Sequence, residues 1–161
     1  MKTSLFFNPT EEFVTWLADY AKGRLIIEGG CGEDMLLSKA LADAGQKVVA
    51  FDPYLSEEAM LVLGRNFHFM PLPIEDSPLI RGEHPAGTLI VFARPCHSSF
   101  FQDTIRNAGK DVEILYIGLK NNIEVDYPDY WMVQELEAPA TAEDLAIVKF
   151  AATNLAAKPK N

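Results

Sequence analysis

The sequence predicts one α/β domain: five mostly parallel strands completed by a C-terminal antiparallel hairpin, a seven-stranded sheet with helices on its flanks. Three observations lead there. The chain has 161 residues, enough for one hydrophobic core and too few for two. Short apolar runs alternate with helical patterns through most of the length, which is the order of crossover units joining parallel strands. The last two extended runs are separated by a short loop with no helix, so they should pair antiparallel.

Each element has a local cause. In Asn8-Pro9-Thr10-Glu11, Asn8 can cap a helix, Pro9 suits its first position, and Glu11 can close a capping box. Phe13, Trp16, Leu17, Tyr20 and Ala21 then form one apolar stripe, stopped by Lys22-Gly23. Leu25-Ile26-Ile27 reads as a strand that runs into the glycines of Glu28-Gly29-Gly30-Cys31-Gly32. Glu33 and Asp34 favour a helix amino-terminus, Leu36, Leu37, Ala40, Leu41 and Ala44 supply its buried side, and Gly45 ends it. Lys47 to Phe51 is a second strand, broken at Asp52-Pro53 because proline cannot donate to a sheet ladder.

Ser56-Glu57-Glu58 starts a short helix reaching about Leu63, and Phe67-His68-Phe69 is a third strand. The prolines of Met70 to Pro78 forbid regular structure there. Thr88 to Phe92 is a fourth strand ending at Ala93-Arg94-Pro95, His97 to Ala108 is helical with Gly109 as its stop, and Val112 to Ile117 is a fifth strand. Trp131 to Glu137 and Leu145 to Phe150 make the hairpin. The domain is thus expected to span 1–151, with 152–161 a frayed tail.

Composition narrows the function. Lys plus Arg number 14 against 23 Asp plus Glu, a net charge of −9 that repels phosphate backbones and anionic lipid, so nucleic acid is not the expected partner. No apolar run approaches the roughly 20 residues of a membrane span, and Met1-Lys2 opens no apolar leader, so a cytoplasmic protein without a membrane partner is expected. The two cysteines, Cys31 and Cys96, and the histidines His68, His84 and His97 show no metal-ligand spacing, so no metal is expected.

In an open parallel sheet, ligands sit beyond the carboxyl ends of the strands. The residues that should matter therefore follow each strand. Gly30 and Gly32 would let a ligand approach the backbone closely, because a Cβ there would collide with it. A helix amino-terminus ordinarily invites phosphate, but Glu28, Glu33 and Asp34 ring this loop with carboxylates, which favour an ammonium or sulfonium instead. Asp52, at the end of the second strand, is placed to accept both hydrogen bonds of a ribose diol. Tyr54 and Ile74 could cover the faces of an adenine ring. Taken singly, each has a plain reading, the glycines as chain turns, Asp52 as a cap at Pro53 and Tyr54 as core; together and in this order they suggest a cationic nucleoside.

Glu28-x-Gly30-x-Gly32, an apolar strand before it and Val48 to Asp52 after it, resembles the first two motifs of class I S-adenosylmethionine-dependent methyltransferases. The resemblance implies a Rossmann-like methyltransferase fold and S-adenosylmethionine as cofactor. By it, Gly30 and Gly32 would line the methionine part, Glu28 would lie near its amino group, Asp52 would hold the ribose, Ile74 and Glu75 would sit beside the adenine, and Cys31, Pro53 and Tyr54 would be further cofactor-binding residues. Departures accompany it. The family's third motif glycine falls at Asp34, the acid that often meets the adenine amino group would fall near Pro73, and Leu119 to Tyr130 is too short for the helix that usually helps build the acceptor site.

Methyl transfer needs mainly alignment, so a dedicated acid or base is often unnecessary and the catalytic residues are unassigned. Arg94, Cys96 and His97 follow the fourth strand and are candidates by position, with His97 the proton acceptor. Pro95-Cys96 is similar to the nucleophile segment of DNA cytosine methyltransferases, but there is no room for their target-recognition domain, and the plainer reading is a strand end followed by a Ser98 or Ser99 helix cap. The expected function is a minimal methyltransferase acting on a small-molecule or partner-presented protein acceptor, with an oligomer mate able to complete the site. The alternative is a non-catalytic binding or regulatory subunit. A nicotinamide oxidoreductase fits less well, since its third glycine would stand where Met35 does.

Overall fold

The computed structural model describes residues 7–30, 35–52, 67–70, 87–95, 100–108, 110–119, 131–141 and 145–152. In chain order the elements are α1 (Glu11–Tyr20), β1 (Leu25–Gly29), α2 (Leu36–Asp43), β2 (Lys47–Phe51), β3 (Phe67–Met70), β4 (Leu89–Ala93), α3 (Phe100–Asn107), β5 (Glu113–Gly118), β6 (Trp131–Leu136) and β7 (Ala146–Ala152). The strands form one mixed sheet ordered β3-β2-β1-β4-β5-β7-β6. β1 runs parallel to both β2 and β4, with Glu28 opposite Ala50 and Val91. β2 is parallel to β3 and β4 to β5, whereas β7 is antiparallel to both β5 and β6.

The parallel strands read as unbroken apolar runs because both of their faces are covered. Ile26, Val48, Ala50, Leu89, Val91, Leu115 and Ile117 face a cluster that includes Phe13 and Leu17 of α1 and Leu37 and Leu41 of α2. Their neighbours Ile27, Val49, Phe51, Ile90, Phe92, Ile114 and Tyr116 face the opposite cluster, with Phe101 and Ile105 of α3. This period-two division makes an α/β/α sandwich. Trp131 ties the edge strand to α3, its indole Nε1–H donating to the Ile105 carbonyl at 3.1 Å.

Several boundaries differ from expectation. Thr10, not Asn8, caps α1: its Oγ1 accepts from the Phe13 N–H at 3.1 Å, and Thr10 itself is extended. Asn8 and Thr10 are both capping residues, and the one whose oxygen reaches the third helical N–H decides the start. α2 begins after Met35, which takes a left-handed conformation at φ 47°, and has no acidic residue in its first turn. β5 runs on through Gly118, and β7 reaches Ala152, which is buried opposite Trp131 and so belongs to the sheet and not to a tail. The expected helix from Ser56 lies outside the described residues, as do 153–161.

At the amino end of the sheet, the Tyr20 hydroxyl donates to Glu113, whose other oxygen receives Arg24 at 2.8 Å. Burial first, and then the Glu113 carboxylate, push the Tyr20 phenol above its usual range. This clasp joins α1 to the starts of β1 and β5 and leaves the opposite rim to the site.

Candidate functional site

The carboxyl ends of β1, β2, β4 and β5 lie along one rim. Gly30 leaves β1 with φ 68°, a left-handed turn that suits glycine. Its N–H donates to the Phe51 carbonyl at 2.8 Å, carrying the β1–β2 ladder one step past the strand. Asp52 follows directly, partly exposed and with interactions of its own. The glycine turn and Asp52 are therefore held side by side. One strand further on, Arg94 turns off β4 at φ 50° while its N–H donates to Ile117 at 2.7 Å.

Glu28 is built differently from the open carboxylate expected. It is 2% exposed, and Ser38 of α2 donates to it from its hydroxyl. The Ser38 backbone N–H donates as well. Ser38 is the third residue of α2, so Glu28 satisfies a free N–H at that helix's amino-terminus. Glu28 thus serves the amino-terminus of α2 from β1, while Glu33 and Asp34, expected there, lie outside the described residues. Burial raises the Glu28 carboxyl to about 7 from 4.5; both Ser38 bonds oppose the rise, and the Asp52 charge adds to it. Desolvation outweighs the two hydrogen bonds that oppose it.

Ser38 is a residue behind the glycine turn that the sequence does not announce. Cys31, Gly32, Pro53, Tyr54, Ile74, Glu75, Cys96 and His97 lie outside the described residues. Of the residues expected at the cofactor, the structure brings together Glu28, Gly30 and Asp52; of the catalytic candidates it places Arg94. A cleft of about 430 Å³ lies at the β6–β7 connection, lined by Glu135, Glu137, Pro139, Thr141 and Leu145 among others. Ala146, which also lines it, pairs with Gly118, so the cleft opens at the same rim as Gly30 but beyond β4 and β5.

No protein-family model matches the chain, and no curated protein matches it. Solved structures do. The chain is similar to the 23S rRNA methyltransferase ErmE, at 17% identity and TM-score 0.62, over 91% of this chain and 69% of that one. It is similar to the putative methyltransferase yhhF from Escherichia coli, at 12% identity and TM-score 0.58, over 90% and 88%. A third is the Burkholderia thailandensis 1,6-didemethyltoxoflavin-N1-methyltransferase, solved with 1,6-didemethyltoxoflavin and S-adenosylhomocysteine bound, at 13% identity and TM-score 0.54, over 89% and 80%. The chain has the class I methyltransferase fold that Glu28-x-Gly30-x-Gly32 anticipates. No helix among the described residues is long and apolar enough to cross a membrane.

Proposed function

We propose that the chain is an S-adenosylmethionine-dependent methyltransferase that binds its cofactor over the ends of β1 and β2 and passes the methyl group to a small-molecule or partner-presented protein acceptor. One observation carries the reading. The Gly30 N–H to Phe51 bond fixes a side-chain-free turn next to Asp52, at the rim where a parallel sheet receives ligands. The donor set fits the cofactor: a turn without side-chain bulk for its methionine part, a carboxylate for its ribose diol, and a buried acid behind the loop. Bound there, the cofactor supplies an electrophilic methyl group on a sulfonium.

The chain's own residues bind and orient. Gly30 admits the ligand against the backbone, and Asp52 accepts from the ribose hydroxyls. Glu28 holds α2 in place beneath the loop and lies near the amino group. Ile74 and Glu75 flank the adenine, while Cys31, Gly32, Pro53 and Tyr54 complete the contact. Arg94, Cys96 and His97 are the candidates for the acceptor side. The net charge of −9 favours a cationic cofactor and a non-nucleic acceptor, although the ErmE likeness shows that this fold also serves an rRNA methyltransferase.

Calorimetry against S-adenosylmethionine, S-adenosylhomocysteine, NAD and ATP tests the reading. Binding of the first pair alone is expected, and Asp52→Ala should weaken it about tenfold or more, the worth of a charge-assisted hydrogen-bond pair. NAD binding alone, or an unchanged affinity in Asp52→Ala, would overturn it.

A further inference from the structure

Tyr116 reads in the sequence as one more aromatic strand residue. In the structure its hydroxyl is out of keeping with its surroundings. The residue is 3% exposed, and its ring lies 5.1 Å from that of Phe101, in a cluster that also holds Phe92 and Phe150. Among the described residues nothing hydrogen-bonds the hydroxyl, and burial alone pushes the phenol up. Tyr20, by contrast, spends its hydroxyl on Glu113. Buried tyrosine hydroxyls usually find a partner, and phenylalanine would fill the same ring space without the cost of an unpaired one.

The hydroxyl also has a definite address. A Cβ added to Gly118 would come within 2.6 Å of the Tyr116 hydroxyl oxygen and 2.7 Å of the ring carbon that bears it. The ring therefore lies along β5 toward its last residue, and Gly118 leaves the space it needs. Gly118 sits at the carboxyl rim, and its predecessor Ile117 pairs with Ala93 at the end of β4. The hydroxyl thus stands on the rim that carries Gly30 and Asp52, displaced toward the β4–β5 side, where an acceptor would approach a cofactor seated over β1 and β2.

We propose that the Tyr116 hydroxyl is a positioning group for the methyl acceptor, the hydrogen-bond partner of a small uncharged molecule bearing an N–H or O–H that seats beside Gly118. The proposal rests on the methyltransferase reading for what that molecule is for. Packing among the core residues Phe92, Phe101 and Phe150 gives the hydroxyl an apolar setting, which favours an uncharged molecule, and the missing partner calls for a single polar atom.

The test uses the full chain and Tyr116→Phe, with phenol and aniline as probes in the presence of saturating S-adenosylhomocysteine, followed by NMR on protein labelled at tyrosine Cζ. The Tyr116 resonance, identified by its loss in the variant, should shift on probe addition. Tyr116→Phe should bind both probes at least fivefold more weakly, about the worth of one neutral hydrogen bond. S-adenosylhomocysteine affinity should stay within twofold. The variant should melt no lower than wild type, because a hydroxyl with a structural role would be missed on heating and an unpaired one would not. Equal probe binding by the two proteins, no probe binding by wild type, or a lowered melting temperature overturns the proposal. Should S-adenosylhomocysteine fail to bind while the probes still distinguish the two proteins, the cofactor reading falls and the Tyr116 site stands.

Discussion

Glu28→Gln removes the buried charge behind the glycine turn while leaving an oxygen to accept from Ser38. The wild-type carboxyl titrates at about 7 when folded against 4.5 as its ordinary value. Below the lower figure both states hold the proton and the contribution to stability is complete. Between the two, the unfolded chain releases a proton that the folded chain keeps, so stability falls by up to about 1.4 kcal/mol per pH unit. Once the pH has passed the folded value, about 3 kcal/mol has been lost. For a chain of this size that is roughly 6 to 12 °C in melting temperature. Urea unfolding of both proteins from pH 4.5 to 8.5 reads this directly. The stability of wild type minus that of Glu28→Gln should decline by about 3 kcal/mol across the range, with most of the fall before pH 7.5. A difference that stays flat with pH would refute the burial argument.

The same carboxyl links binding to protons: a sulfonium nearby favours its ionised form, so S-adenosylmethionine should bind more tightly at pH 8 than at pH 6, with proton release visible in calorimetry across buffers of different ionisation enthalpy. Gly118→Ala should displace the Tyr116 ring and cost about 1–3 kcal/mol by chemical denaturation, since that ring is packed against Phe101 and cannot swing freely. Arg24→Met should cost about 1–2 kcal/mol by the same measurement, because it strips a partly buried Glu113 of its cation while Tyr20 still donates.

The strands were legible wherever burial on both faces wrote an unbroken apolar run, as in Val48 to Phe51 and Leu89 to Phe92. Gly45, at φ 88°, likewise announces the end of α2 in advance. Helix starts were harder to read. Asn8 and Thr10 differ in capping strength by less than the geometry that chooses between them, and the acid serving α2 comes from another element ten residues back. That Glu28–Ser38 contact leaves no periodic trace, so Glu28 looks like an open ligand-facing acid until its burial is seen. Tyr116 was hidden for a related reason: a tyrosine in a strand pattern has the same period as a phenylalanine, and only the Gly118 contact shows where its hydroxyl lies. Ala152 was assigned to a tail because its pairing with Trp131 joins residues of the edge strand that no local pattern connects.

S-adenosylhomocysteine titrated into ¹⁵N-labelled protein tests the cofactor site most directly. Gly29, Gly30 and Asp52 should show saturable amide shifts, while Gly23 and Gly45, at the amino ends of β1 and β2, stay still. Shifts confined to that opposite end, or none at saturation, would contradict the assignment.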